Sequence, residues 1–255
     1  MAPTVSPRDV SRLKSDITKN KQGCNVDIQL FLEKDKKQTP VDFHVDRMVN
    51  AGFTGRDQAE VRHHLDELSA KGIGVPDETP LIYPVIPATL TCDEKIVVYG
   101  QQTSGEIEFV LFVKNEDEIY VGIGSDHTDR KLEETDIPRA KQVCPNIVSP
   151  VVWDLKDVSD HWDDLVMACR VEKGGEAIVY QKGSVGLLMS PAELLAFVGK
   201  KVTGPLTDIV IFSGTVKMQT PDFVFADRFT GSLTDPVLDR KLSFAYSIHP
   251  MDYMV

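Results

Sequence analysis

Residues 104 to 126 constrain the fold more than any other part of this chain. They read Ser104-Gly105-Glu106-Ile107-Glu108-Phe109-Val110-Leu111-Phe112-Val113, then a charged stretch over 114–118, then Ile119-Tyr120-Val121-Gly122-Ile123-Gly124-Ser125-Asp126. Side chains alternate across a strand, so Glu106 and Glu108 share one face while Ile107, Phe109 and Leu111 take the other. If residues 114–118 close a hairpin, Val113 pairs with Ile119. The same register then sets Gly124 opposite Glu108 and Asp126 opposite Glu106. The other face pairs Leu111 with Val121 and Phe109 with Ile123, an apolar surface suited to a core. Gly122 and Gly124 leave room on the acidic face.

Three carboxylates on one face repel one another unless something positive sits among them. An all-oxygen set suits Mg²⁺ or Mn²⁺, or Ca²⁺, rather than a soft metal. Spacing alone leaves a second reading open, an edge hairpin whose acidic face is simply solvated.

Charge narrows the partners. Lys and Arg number 28 against 39 Asp and Glu, for a net charge of -11. A nucleic-acid or anionic-membrane surface needs clustered positive charge, so neither is expected. Cys24, Cys92, Cys144 and Cys169 form no CxxC pair, which predicts neither a zinc knuckle nor a disulfide framework and fits a reducing cytoplasm. Residues 1–20 carry Arg8, Arg12, Lys14 and Asp16 and no apolar run, so no secretory signal is expected.

Upstream, residues 26–32 and 39–45 alternate like strands around a charged turn at 33–37 and predict a hairpin. Residues 57–71 follow helical spacing loosely, with Gly72 as the stop. Pro76, Pro80, Pro84 and Pro87 mark an extended connector. A boundary near residue 88 would divide the chain into an N-terminal hairpin and lid-helix region, 1–88, and a core, 89–255. Strand-like runs dominate the core at 96–99, 106–113, 118–123, 178–181, 209–212 and 242–247. Helices are expected over 161–169 and after Ser190-Pro191, where serine caps and proline takes the first helical position. The class is α+β with a β-rich core.

Gly105-Glu106-Ile107-Glu108 followed by Ser125-Asp126-His127-Thr128-Asp129-Arg130-Lys131-Leu132-Glu133 resembles the metal-binding core of the fumarylacetoacetate hydrolase superfamily, which uses Glu-x-Glu and a later Asp. The likeness continues in order through Lys141, Tyr180-Gln181-Lys182-Gly183-Ser184 and Ile209-Val210-Ile211-Phe212-Ser213-Gly214-Thr215, covering roughly 85–250. An uncharacterised bacterial and fungal branch, marked by Gly55-Arg56-Asp57 as well, is the nearest pattern. The resemblance implies a β-rich mixed sheet or roll with a few peripheral helices, and a homodimer. It implies a metal held by Glu106, Glu108 and Asp126, and substrate contacts at Arg130, Gln181, Gly214 and Thr215. The activity it implies is metal-dependent hydrolysis of a C–C bond in a 2-oxo acid or 1,3-diketone-like small molecule. Decarboxylation, isomerisation or hydration of an oxo acid is the alternative, and a non-catalytic small-molecule binder on the same fold is a second one.

Hydrolytic members carry His-x-x-Glu on a short helix before the core, and His64-Leu65-Asp66-Glu67 stands in that place. A spacing of three puts both side chains on one helical face, where Glu67 can orient His64 as a base toward water. The competing reading is the wet side of a surface helix. His127 is a rival base or a packing residue. Lys141 can face a developing oxyanion or be a solvated lysine. Arg130 can pair with Glu106 or Glu108, or take a substrate carboxylate. Arg56 and Asp57 are readable as a salt bridge closing the helix start, Cys144 as a buried thiol, and the aspartates at 154–164 as a solvated helix entry.

Overall fold

In the upstream hairpin the alternation over 26–32 and 39–45 is realised. A computed structural model describes residues 18–19, 26–70, 76 and 78–253. The short strand β1 (Thr18–Lys19) lies on β2 (Val26–Lys34), which pairs with β3 (Lys37–Val45) across a two-residue turn. That turn is Asp35-Lys36, both at positive φ, as a tight hairpin requires. The chain continues through β4 (Arg47–Gly52), α1 (Gln58–Ala70), β5 (Leu81–Val85), β6 (Leu90–Thr91) and β7 (Lys95–Val98). Then come β8 (Thr103–Val113), β9 (Ile119–Asp129), α2 (Arg130–Glu133), α3 (Ile137–Ala140), β10 (Asn146–Val148) and β11 (Val151–Asp154). The last elements are β12 (Val166–Lys173), β13 (Glu176–Ser184), α4 (Pro191–Lys201), β14 (Ile209–Phe212), β15 (Arg228–Asp235) and β16 (Arg240–Pro250).

These strands make two mixed sheets. An eleven-stranded sheet runs β1-β2-β11-β9-β8-β14-β4-β5, with β3 on β2 and with β10 joining β9 to β6. A five-stranded sheet runs β13-β12-β15-β16-β7. Strands on both sides of residue 88 therefore share the larger sheet. Hairpin β8/β9 has the register read from the sequence: Val113 on Ile119, Glu108 on Gly124, Glu106 on Asp126.

Both faces of that hairpin are buried, for different reasons. Ile107, Phe109, Leu111, Val121 and Ile123 pack toward the smaller sheet against residues such as Met167, Phe229 and Tyr246. The other face lies inside the curl of the larger sheet, where Val110, Phe112 and Tyr120 meet Ile28, Phe43, Met48, Val152 and Phe212. The room expected at Gly122 and Gly124 is filled by this core. A Cβ at Gly122 would come within 3.0 Å of Phe112, and one at Gly124 within 2.6 Å of the Ile147 carbonyl oxygen. These glycines admit neighbouring protein, not a ligand.

The helix expected over 161–169 is corrected. Residues there form a 3₁₀ turn, Ser159–Asp164, and then β12. Met167, Cys169 and Val171 are buried at period two, and β12 is paired on both sides, by β13 and β15. The expected Arg56–Asp57 pair does not form either. Asp57 caps α1 through the backbone N–H groups of Ala59 and Glu60, while both Nη atoms of Arg56 donate to Asp163 at 2.7 Å. The helix after Ser190-Pro191 is present as α4, opened by a capping box between Ser190 and Glu193.

Candidate metal centre

Inside the curled sheet, several strands change from apolar to polar at one level. On β8 the interior row runs Phe112, Val110, Glu108, Glu106, and on β9 it runs from Tyr120 to Asp126. Met48 is followed by Asn50 on β4, and Val148 is preceded by Asn146 on β10, opposite Asp126. After Val210 and Phe212 on β14, the backbone N–H of Gly214 donates to Glu108 Oε2 at 2.8 Å. The polar end thus sits on strand backbones rather than on loops. One carboxylate oxygen from each of Glu106, Glu108 and Asp126 lies within 4.8 Å of the others. Asp126 and Glu108 are sealed from solvent, while the Glu106 side chain keeps 22% of its exposure.

Two buried cations face this cluster. Lys141 follows α3, whose N-terminus is capped by Asp136, and its Nζ donates to Asp126 Oδ2. Arg130 opens α2, capped by Asp129, and its guanidinium is fully engaged. Nε donates to Ser104 Oγ at 2.7 Å, Nη1 to Glu133 at 2.7 Å, and Nη2 lies 3.3 Å from Glu106, while the plane stacks on Phe223 at 4.4 Å.

Burial dominates the electrostatics. It pushes Glu108 well above the usual carboxylate range, and Asp126 and Glu106 push it further; Lys141 and the Gly214 N–H only partly offset this. Glu106 is raised by burial too, against the pull of Arg130 and Lys141. For Asp126 burial also works upward, but the charge and hydrogen bond of Lys141 hold it below its ordinary value. Lys141 in turn resists the loss of charge that burial favours, because Asp126, Glu106 and Glu108 surround it. With Arg130 shared between Glu106 and Glu133, the cluster keeps a negative excess. Hard oxygen donors with uncompensated charge in a largely buried site fit a divalent cation.

Other expected residues are engaged in the scaffold. Gln181 accepts from the Ile107 N–H at 3.0 Å and donates to Thr215 Oγ1 at 2.7 Å and to the Val216 carbonyl at 3.0 Å. Thr215 Oγ1 donates to the Ile107 carbonyl at 2.6 Å. Together they stitch β8 to β13 and to the segment after β14. Gly214 has φ +84°, and a Cβ there would fall 2.5 Å from Thr54 Oγ1, so only glycine brings this N–H to Glu108.

His64 and Glu67 lie on α1, but their side chains are outside the described residues. His127 points away from Asp126, into the space between the sheets. It bonds Tyr246 Oη and Thr103 Oγ1, each at 2.9 Å, and burial among neighbours that include Arg130 lowers its pKa to about 3. It is a neutral packing residue. The Cys144 thiol is buried and pushed up to about 12, chiefly by burial. Asp154 caps a 3₁₀ turn, Asp157 pairs with Lys34 and Arg240, and Asp163 holds Arg56. The sequence reading missed Asn50, Asn146 and Ser104. Only Ser104 sat in a motif; the others approach the site through sheet closure, which no local pattern encodes.

Comparison with known proteins agrees with this architecture. Residues 51–246 match the family described as "Protein of unknown function (DUF2848)". No curated protein matches the sequence. Among solved structures, 2-keto-3-deoxyarabinonate dehydratase superposes with TM-score 0.61 at 12% identity, covering 97% of both chains. The 2-keto-3-deoxy-D-arabinonate dehydratase complexed with magnesium and 2,5-dioxopentanoate gives 0.58 at 13% identity, over 92% of this chain and 95% of that one. A candidate fumarylpyruvate hydrolase from Burkholderia cenocepacia gives 0.56 at 17% identity, over 87% and 95%. At such identities the likeness is one of fold, and that fold is the fumarylacetoacetate hydrolase type. By its sequence the chain belongs to the DUF2848 family, and its two curled sheets carry the fumarylacetoacetate hydrolase fold.

Proposed function

We propose that the chain is a divalent-metal-dependent enzyme acting on a small oxo acid or diketone-like molecule, and that its reaction is hydrolysis of a C–C bond. The observation that carries this is the cluster of Glu106, Glu108 and Asp126, the last two buried, with the Lys141 ammonium against it. Held by these carboxylates, Mg²⁺ or Mn²⁺ would supply Lewis acidity toward neighbouring oxygens of the substrate. The magnesium complex of the dehydratase supports a metal on this fold, at the level of fold likeness alone.

The chain's own residues divide the remaining work. Lys141 stays protonated and donates from Nζ, so it stabilises negative charge and does not act as a base. Arg130 fixes Glu106, and the Gly214 N–H fixes Glu108. His64, oriented by Glu67, takes the proton from the attacking water. Helix α1, in the 1–88 region, closes over the 89–255 core and excludes bulk water. Arg130, Gln181, Gly214 and Thr215 shape the substrate side. A cytoplasmic homodimer is part of this reading.

The test is a panel of acylpyruvates, oxaloacetate and related 2-oxo acids presented to chelator-treated protein with and without Mg²⁺ or Mn²⁺. Cleavage restored by metal and reduced a hundredfold or more in His64→Ala supports the hydrolase. A His64→Ala variant that keeps metal-dependent turnover points instead to decarboxylation, isomerisation or hydration of an oxo acid, or to dehydration, the reaction for which one neighbour is named. Divalent-ion binding without turnover of any compound favours a small-molecule binder.

A further inference from the structure

Asn50 lies at the centre of β4 and is fully buried. Its Nδ2 donates to Asn146 Oδ1 at 2.9 Å. Asn146, also fully buried, sits directly across the β10–β9 ladder from Asp126 and donates its own Nδ2 to Thr89 Oγ1 at 3.3 Å. The Asn50 amide also lies near enough to the Asp126 carboxylate to favour its charged form. An amide oxygen turned toward that anion would be repelled, so the neighbours fix which way the amide points. Its Oδ1 is then left with no hydrogen-bond partner among the described residues, although it is buried beside the carboxylate cluster.

Strands β4 and β10 are not neighbours in the sheet: β14, β8 and β9 lie between them. The Asn50–Asn146 bond therefore spans the interior of the curl, at the level where the strand rows turn polar. A buried carbonyl oxygen without a donor is costly, and buried polar groups in native proteins nearly always have a partner. Among carboxylates, the partner that suits a neutral oxygen is a hard cation or the water bound to one.

We propose that Asn50 is a further member of the cation site, a neutral oxygen donor held in place by Asn146 that completes the set of Glu106, Glu108 and Asp126. This rests on the metal reading above. The test is calorimetric titration of Mg²⁺ into chelator-treated wild type, Asn50→Leu, Asn50→Asp and Glu108→Gln, with the melting temperature of each metal-free protein measured alongside. Asn50→Leu should bind Mg²⁺ tenfold to a hundredfold more weakly while melting metal-free close to wild type. Asn50→Asp, which keeps an oxygen for the cation but gives up the amide N–H, should bind more tightly than Asn50→Leu. Asn50→Leu binding at wild-type affinity overturns the proposal. So does an Asn50→Asp variant that binds no more tightly than Asn50→Leu; if the leucine variant does not fold, Asn50→Ala takes its place in that comparison. If wild type itself binds no Mg²⁺, or Glu108→Gln binds it unchanged, the metal reading fails and this proposal with it.

Discussion

Glu108 and Gly105 stand three residues apart on β8, on opposite faces of the strand, and constrain the site in different ways. Glu108 is a buried carboxyl held above its ordinary range by burial first and by its acidic neighbours next. Replacing it with glutamine removes a costly charge, so Glu108→Gln should melt at or above wild type without metal and lose the rise in melting temperature that Mg²⁺ gives wild type. Thermal melts with and without Mg²⁺ check both halves. Gly105 serves the rear of the same strand, where a Cβ would fall 2.4 Å from Ser125 Oγ and 2.5 Å from Tyr246 Oη. Gly105→Ala should therefore cost about 1–3 kcal/mol in urea unfolding, by displacing the Tyr246 hydroxyl from Ser125 and His127. The carboxylates were legible because period two fixes which side chains share a face. Asn50 and Asn146 were not, since what brings them to the site is a contact between strands far apart in the chain.

At the scale of elements, the hairpin β8/β9 was readable down to its register because one loop length and one apolar face admit a single pairing. β12 was not. Its short run mixes Met, Ala, Cys and Arg, and what makes it a strand is a partner on either side rather than its own propensity. Helix α4 lies between these cases, since its start was written in Ser190-Pro191 and its end was not marked. Both Ser190 Oγ and Glu193 take part in the cap. Ser190→Ala should destabilise the protein by about 1 kcal/mol, seen as a lower denaturation midpoint with unchanged slope.

For the whole molecule, the smaller sheet packs on the apolar face of the β8/β9 hairpin of the larger one, and the β15–β16 turn allows acid sensitivity to be tested away from the carboxylate cluster. Asp235 closes the turn between β15 and β16 by accepting the Val237 and Leu238 N–H groups, and it pairs with His161 and Arg240. Burial raises its pKa, but these hydrogen bonds more than offset that, leaving it below the ordinary value. A carboxylate lowered by folding contributes stability above its unfolded pKa, about 3.9, and loses it as pH falls toward the lower folded value. Asp235→Asn should accordingly be less stable than wild type at neutral pH, with the difference shrinking below about pH 4 in acid-unfolding curves. Finally, Glu106 alone of the three carboxylates meets solvent. Any ion held there must enter and leave past that one side chain, which Arg130 tethers. Its residence time is then governed by a single gatepost: chelator stripping should be slow in wild type and markedly faster in Arg130→Ala, even where equilibrium occupancy changes little.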